Sequence, residues 1–166
     1  VGLAPGAHGS NRTGRQFTGD ASGGFLYPAL FRAGFASQPN SLGRDDGMEL
    51  RDMYITAAGR CAPPGNKPAT EELDNCQPFL EREIQLIQPK VIVVLGRIAF
   101  ERVIRIFNRQ SEIVNRNSFG HGATYSLMTG HWLLCSYHPS QQNTFTRRLT
   151  RPMFQAVFEH ATRILR

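Results

Sequence analysis

A glycine-rich stretch opens the chain: Gly2-Leu3-Ala4-Pro5-Gly6-Ala7-His8-Gly9-Ser10-Asn11-Arg12-Thr13-Gly14-Arg15-Gln16-Phe17-Thr18-Gly19-Asp20. Loops of this kind leave backbone N–H groups free to approach an anion or a base edge. His8, Asn11, Arg12 and Arg15 add side-chain donors. The Gly-Lys-Ser/Thr ending of a nucleoside-triphosphate loop is absent, and so is the GxGxxG pattern. Residues 2–19 hold neither the lysine nor the metal carboxylates that a phosphate-cleaving loop would want. A surface Ω-loop is the plain alternative. Phe17 reads either as a core anchor or as a stacking platform for a planar ligand. Asp20 reads either as a helix-entry carboxylate or as a group that orients a water.

A second set of groups follows a strand near the C-terminus. His138 precedes Pro139, which pushes it towards extended backbone. Behind it run Ser140, Gln141, Gln142, Asn143, Thr144, Thr146, Arg147 and Arg148, a strip suited to phosphate oxygens. Phe145 and Leu149 interrupt that strip and either pack beneath the loop or wedge into a duplex. Cys61 and Cys76 have 14 residues between them, a weak metal signal that two buried thiols would also produce. Cys135 lies within a strand pattern and reads as core.

These groups need a scaffold, and 166 residues provide one domain's worth. At this length a single core buries roughly 70% of the unfolded surface, so no disulfide is needed. Hydrophobic residues make up 40% of the chain, which excludes a wholly disordered protein. No apolar run reaches the ~18 residues of a membrane span, and three cysteines do not make a disulfide-stapled module. The net charge is +6, and 17 of the 19 basic residues are arginine, the side chain whose planar fork suits phosphate. A solvated surface or arginine-rich codon usage would give the same excess. The chain starts at Val1 with no apolar leader before it, and is expected to be a fragment lacking its natural N-terminus.

Local pattern places the elements. Ser22 is a candidate cap for a helix over 23–34, with Phe25, Leu26, Leu30 and Phe31 on one face. The run 54–58 predicts a short buried strand. Thr70 is expected to cap a helix that opens with Glu71 and Glu72 and ends at Pro89. Val91-Ile92-Val93-Val94-Leu95, β-branched throughout its first four residues, predicts a strand buried on both faces. A helix carrying Ile98, Phe100, Val103, Ile104 and Phe107 follows, then irregular chain over 108–130 and a strand at 132–137. Thr150 and Pro152 begin the last helix. With one more strand just before residue 3, this order predicts an α/β fold with a parallel sheet and helices on both faces. Ligands of such sheets bind outside the carboxyl ends of the strands, where the loops 4–20, 59–68 and 138–150 fall.

Three segments, in order, resemble one family. Gly2 to Arg15 followed by Phe17-Thr18-Gly19-Asp20 resembles motif A of the type-b (family 5) uracil-DNA glycosylases. Tyr54 to Pro64, with Arg60-Cys61-Ala62-Pro63-Pro64, is similar to their second segment. Ser136-Tyr137-His138-Pro139-Ser140, then Gln142-Asn143-Thr144 and Arg148-Leu149-Thr150, is similar to motif B. The resemblance implies a single domain over residues 1–166, a three-layer α/β/α sandwich around a central, mainly parallel four-stranded sheet. It implies hydrolysis of the N-glycosidic bond of uracil in DNA, and of other deaminated bases such as hypoxanthine and xanthine, with the base flipped out and an abasic site left behind.

The same resemblance implies roles. Asp20, Asn66 and His138 are the catalytic set: Asp20 positions water, His138 donates to the base oxygen, and Asn66 contacts the base or assists the reaction. Gly6, Ala7, Phe17 and Ala57 complete the base pocket with Asn66 and His138, Phe17 stacking on the extruded base. Asn11, Arg12, Arg15, Ser140, Asn143, Thr144, Arg147, Arg148 and Leu149 form the DNA-contacting set, with the neighbourhood of Leu149 filling the vacated stack. Related strict uracil enzymes place an asparagine where Ala57 stands, so Ala57 predicts relaxed base choice. The family holds a [4Fe–4S] cluster on four cysteines. Cys61 and Cys76 match the later pair, the others being expected in an N-terminal segment outside this chain, and Cys135 matches none. No catalytic metal is implied. The remaining expectations are a monomer, DNA as partner, no membrane and a prokaryotic cytoplasm. A catalytically silent damaged-DNA-binding module of the same fold is the alternative.

Overall fold

The computed structural model describes residues 1–108, 118–127 and 130–166. Helices α1 (Ser10–Thr13), α2 (Gly23–Ala33) and α3 (Thr70–Ile87) precede strand β1 (Val91–Leu95) and helix α4 (Arg97–Asn108). Strands β2 (Thr124–Ser126) and β3 (Trp132–Ser136) follow, then α5 (Gln141–Phe145) and α6 (Arg151–Leu165). The fold is α/β with a mixed sheet in the order β1-β3-β2. β1 and β3 are parallel, Val91 opposite Trp132 and Leu95 opposite Ser136, whereas β2 is antiparallel to β3.

Side chains alternate across a strand, and here each face meets its own helices. Ile92, Val94, Leu133 and Cys135 pack with Leu80 and Ile84 of α3 and with Ala99, Phe100 and Val103 of α4. Leu95 and Leu134, with half-buried Val91 and Val93, pack with Leu26 and Leu30 of α2 and with Phe154, Val157 and Phe158 of α6. Burial on both sides is why β1 reads as an unbroken apolar run.

The implied four-stranded, mainly parallel sheet needs correction: the described residues hold three strands, one of them antiparallel. Two short extended segments continue the sheet beyond β1. Val1 N donates to Val93 O at 2.7 Å, and Leu95 N to Val1 O at 2.9 Å. Gly2 N donates to Thr56 O at 2.8 Å and Ala58 N to Gly2 O at 3.0 Å, making Gly2 and Ala57 a single parallel bridge. Gly59 N then donates to Leu3 O at 2.8 Å, out of the ladder's alternation, and the expected strand at 54–58 is reduced to that bridge.

The helix entries also differ in detail. Ser22 is itself helical, and Asp20 Oδ1 accepts from Gly23 N at 2.9 Å in its place. α3 is capped from Ala69, whose N–H donates to Glu72 Oε2 at 2.7 Å, with Thr70 already in the first turn. Thr150 caps α6 as expected, accepting from Met153 N at 3.4 Å. Of the stretch read as irregular, 109–117 and 128–129 lie outside the described residues, and β2 occupies part of the remainder. Among the described residues no helix is long and apolar enough to cross a membrane.

Candidate active site

The segments 1–3 and 56–58 pair in parallel with each other, as β1 does with β3, and the loops that leave them carry the expected site residues. Side chains from two of these loops meet. The Phe17 and His138 rings lie 6.0 Å apart, inclined at 35°. Burial lowers the pKa of His138, and the nearby Asp20 carboxylate raises it by less, so the net shift is downward from the ordinary 6.5. At neutral pH His138 is therefore a neutral imidazole, with the Asp20 carboxylate near enough to act on it.

The first loop reaches this arrangement through close approaches. A Cβ on Gly9 would run into the Asp20 carboxylate, and one on Gly23 into the Phe17 carbonyl. Ser10 Oγ accepts from Phe17 N at 2.8 Å and holds Phe17 at φ 55°, a left-handed conformation rare outside glycine. Tyr27 Oη donates to Gln16 O at 2.7 Å and ties the loop to α2. Phe17 is only 7% exposed, so it is a core anchor as well as the ring beside His138. Gly6 is half-buried and Ala7 is exposed. Ala57 is 1% exposed and bridged to Gly2. Asn66 is exposed in the turn Pro64–Asn66 with φ 57°, and no contact among the described residues joins it to Asp20 or His138.

The His138 backbone is held from both sides. Asn143 Nδ2 donates to His138 O at 2.9 Å, and Ser140 Oγ accepts from Asn143 N at 3.4 Å at the start of α5. On the preceding side, Tyr137 N donates to His121 Nδ1 at 3.3 Å. Sequence reading missed His121; its flanking glycines, Gly120 and Gly122, were the available signal that it sits in a tight, specific turn.

Several residues expected to face DNA are engaged inside the protein. Arg15 donates to Asp46 Oδ2 at 2.6 Å, Ser41 Oγ at 2.9 Å and Thr18 Oγ1 at 3.1 Å, so it anchors the loop over 41–46. The Arg15 bond, with N–H donors from Leu42, Met48 and Gly43, holds the Asp46 carboxyl well below the usual carboxylate range. Leu149 is 1% exposed and belongs to the core with Phe154 and Phe158, because its N–H turns back to Asn143 O at 3.0 Å. In this structure its side chain is packed away from solvent. Phe145 is 77% exposed and is the apolar side chain of this loop that reaches solvent. Ser140 and Asn143 shape the loop, and half-buried Thr144 donates to Gln141 O at 3.3 Å. Asn11, Arg12, Arg147 and Arg148 are exposed, Arg148 lying 4.6 Å over the Tyr137 ring.

Cys61 is exposed and Cys76 half-buried, and Arg60 N donates to Cys76 Sγ at 3.3 Å, so the proline loop lies against α3 at the second thiol. Thiolates with backbone N–H donors suit an iron–sulfur cluster, and these two fit as half of a four-cysteine set. Among the described residues no group of three or more ligand side chains gathers. Cys135 is fully buried and burial pushes its thiol up to about 12, which keeps it protonated and inert. A separate cavity of about 530 Å³ lies between β1 and residues 52–56; of the candidate site residues, Phe17 alone lines it.

The α/β fold and the two motif-bearing loops that meet at Phe17 and His138 define a class, and comparison with known proteins agrees. The family model described as "Uracil DNA glycosylase superfamily" matches residues 1–162, and the chain belongs to that superfamily. Within it, the chain is 54% identical to the type-5 uracil-DNA glycosylase of Thermus thermophilus over 98% of this chain and 73% of that protein. The type-5 enzyme of Mycobacterium leprae is 47% identical over 99% of this chain and 72% of its own length. That of Pyrobaculum aerophilum is 44% identical over 97% and 69% respectively.

Proposed function

We propose that this protein is a DNA-repair glycosylase that removes uracil, and also hypoxanthine and xanthine, from DNA by flipping the base and hydrolysing its N-glycosidic bond. The observation that carries this reading is the meeting of the two motif-bearing loops, where the Phe17 ring lies 6.0 Å from the half-buried His138 ring and the Asp20 carboxylate is close enough to act on it. In the reaction the bond from C1′ to the base nitrogen breaks and its electron pair leaves with the base. Water adds its oxygen to C1′ and releases a proton. An N–H of His138 donates to the base oxygen where negative charge grows, a contribution of about 3–4 kcal/mol for one such donor. Asp20 stabilises positive charge on the sugar and holds the water. Phe17 backs the base, Gly6 and Ala7 offer backbone amides, and Asn66 closes over the base from the proline loop. The small Ala57 imposes no amide code on the base edge, which is the basis for broad base choice.

The two clusters packed on opposite faces of the sheet support a three-layer sandwich in one domain over 1–166. Arg12, Asn11, Arg147, Arg148 and Thr144 meet the DNA backbone. Cys61 and Cys76 supply two of the four thiolates of a [4Fe–4S] cluster, which when bound cross-links the proline loop to α3 and takes no part in bond cleavage. The protein acts as a monomer on DNA.

The test is strand nicking after alkali, on duplexes carrying one uracil or one hypoxanthine. Cutting of both, lost in H138A, is the expected result. Uracil cut with inosine untouched removes the broad-specificity part, and binding without any cutting leaves a silent DNA-binding module.

A further inference from the structure

We propose that His121 is a positioning residue for the excision step, acting through the Tyr137 amide on His138; this rests on the glycosylase reading above. The sheet ladder ends at Ser136, whose carbonyl accepts from Gly96 N at 2.8 Å. Beyond that point strand pairing no longer orients the chain, yet His138 is only two residues further on. A backbone N–H this close to the core must find an acceptor. Tyr137 N finds one in His121 Nδ1, 3.3 Å away.

The side chains strengthen the join. The His121 ring lies 5.3 Å from the Tyr137 ring at 31°, and Phe119 lies against the same ring at 6.1 Å. The Arg148 guanidinium sits 4.6 Å over Tyr137, so one tyrosine links the 119–121 turn to the loop after α5. Since Tyr137 N–H donates, Nδ1 is the bare nitrogen and Nε2 carries the proton. Asn143 holds the His138 carbonyl at 2.9 Å, and His121 holds the amide just before it. Together they set where the imidazole points.

The geometry separates two substitutions. H121F keeps a ring against Tyr137 but has no acceptor. H121N places Oδ1 near the position of Nδ1 and keeps the acceptor on a smaller group. Single-turnover excision of uracil and duplex binding would be measured for wild type and both variants, with exchange of the Tyr137 amide proton followed by NMR. H121F should lose about 10- to 100-fold in rate, the scale of a misplaced reacting group, with binding within about twofold and a faster-exchanging Tyr137 amide. H121N should recover most of the rate and the protection. Equal rates in wild type and H121F, or equal losses in both variants, overturn the inference while leaving the glycosylase reading intact. A wild type that leaves uracil DNA uncut overturns that reading and takes this inference with it.

Discussion

A neutral imidazole at His138 makes a specific demand on the pH dependence. If the donor to the departing base were an imidazolium with an ordinary pKa of 6.5, the rate would fall about tenfold per unit above that value. Burial pushes the pKa the other way, so in the proposed role His138 donates as the neutral form across the whole neutral range. Single-turnover excision should therefore be flat between about pH 6.5 and 8. H138A should lose about 10²–10³-fold. A steady decline over that range would identify a protonated donor and contradict the burial argument. Stability follows the same sign: His138 is favoured neutral in the fold, so its contribution is complete above 6.5 and is lost as the pH falls through the lowered value. Asp20 and His138 could be picked out as candidates at this scale because they are polar groups in glycine- and proline-marked loops. His121 was not, because its role depends on a backbone amide 16 positions away that no local pattern reveals.

At the scale of elements, the segment 54–60 shows how a strand can be replaced by side-chain ties. It makes only one bridge, yet Glu83 of α3 gathers it. Glu83 Oε2 accepts from Thr56 Oγ1 at 2.7 Å, and Oε1 accepts from Arg60 Nη1 at 2.8 Å and Tyr54 Oη at 3.1 Å. Burial raises the Glu83 pKa, but the bonds from Arg60, Thr56 and Tyr54 outweigh it and the net shift is downward. E83Q should cost roughly 1–3 kcal/mol in urea unfolding at neutral pH, the range for a half-buried charged hydrogen-bond hub losing a partner. The wild-type contribution is complete above 4.5 and fades as the pH drops through the lowered folded value, so the two proteins should converge in acid. Constant separation down to pH 3 would show that the carboxylate charge is not the cause. α3, α4 and α6 were legible from long periodic apolar patterns, and β1 from an unbroken apolar run. β2 and α5 were not: three and five residues are too few to show a period, and both are held by neighbours rather than by propensity. The expected strand at 54–58 failed for a related reason, since the run that predicted it is held by Glu83 and a single bridge.

The whole molecule carries a charge of +6, and which arginines face outward decides how that charge meets DNA. Binding to a duplex should weaken with salt at about 0.9 log units per log unit of salt for each phosphate neutralised. R147A should reduce that slope by about one contact, whereas R15A should leave it unchanged and instead destabilise the 41–46 loop, because Arg15 is bound to Asp46. The same outward face carries the one large apolar group of its loop. Extruding a base costs a few kcal/mol of stacking and pairing, and a side chain that enters the gap offsets part of that cost. Phe145 is placed to do this, being 77% exposed between Thr144 and Thr146 with arginines close behind; Leu149, 1% exposed, is not. A single-stranded substrate has no stack to hold open. F145A should therefore slow excision from a duplex by about tenfold, equivalent to roughly 1.4 kcal/mol, and leave a single-stranded uracil substrate nearly unaffected. L149A should instead lose about 2–5 kcal/mol of folding stability, as a buried leucine does, with duplex and single strand affected alike. Equal slowing of both substrates by F145A would remove Phe145 from the gap, and a duplex-selective defect in L149A would require the loop to unfold from the core when DNA binds.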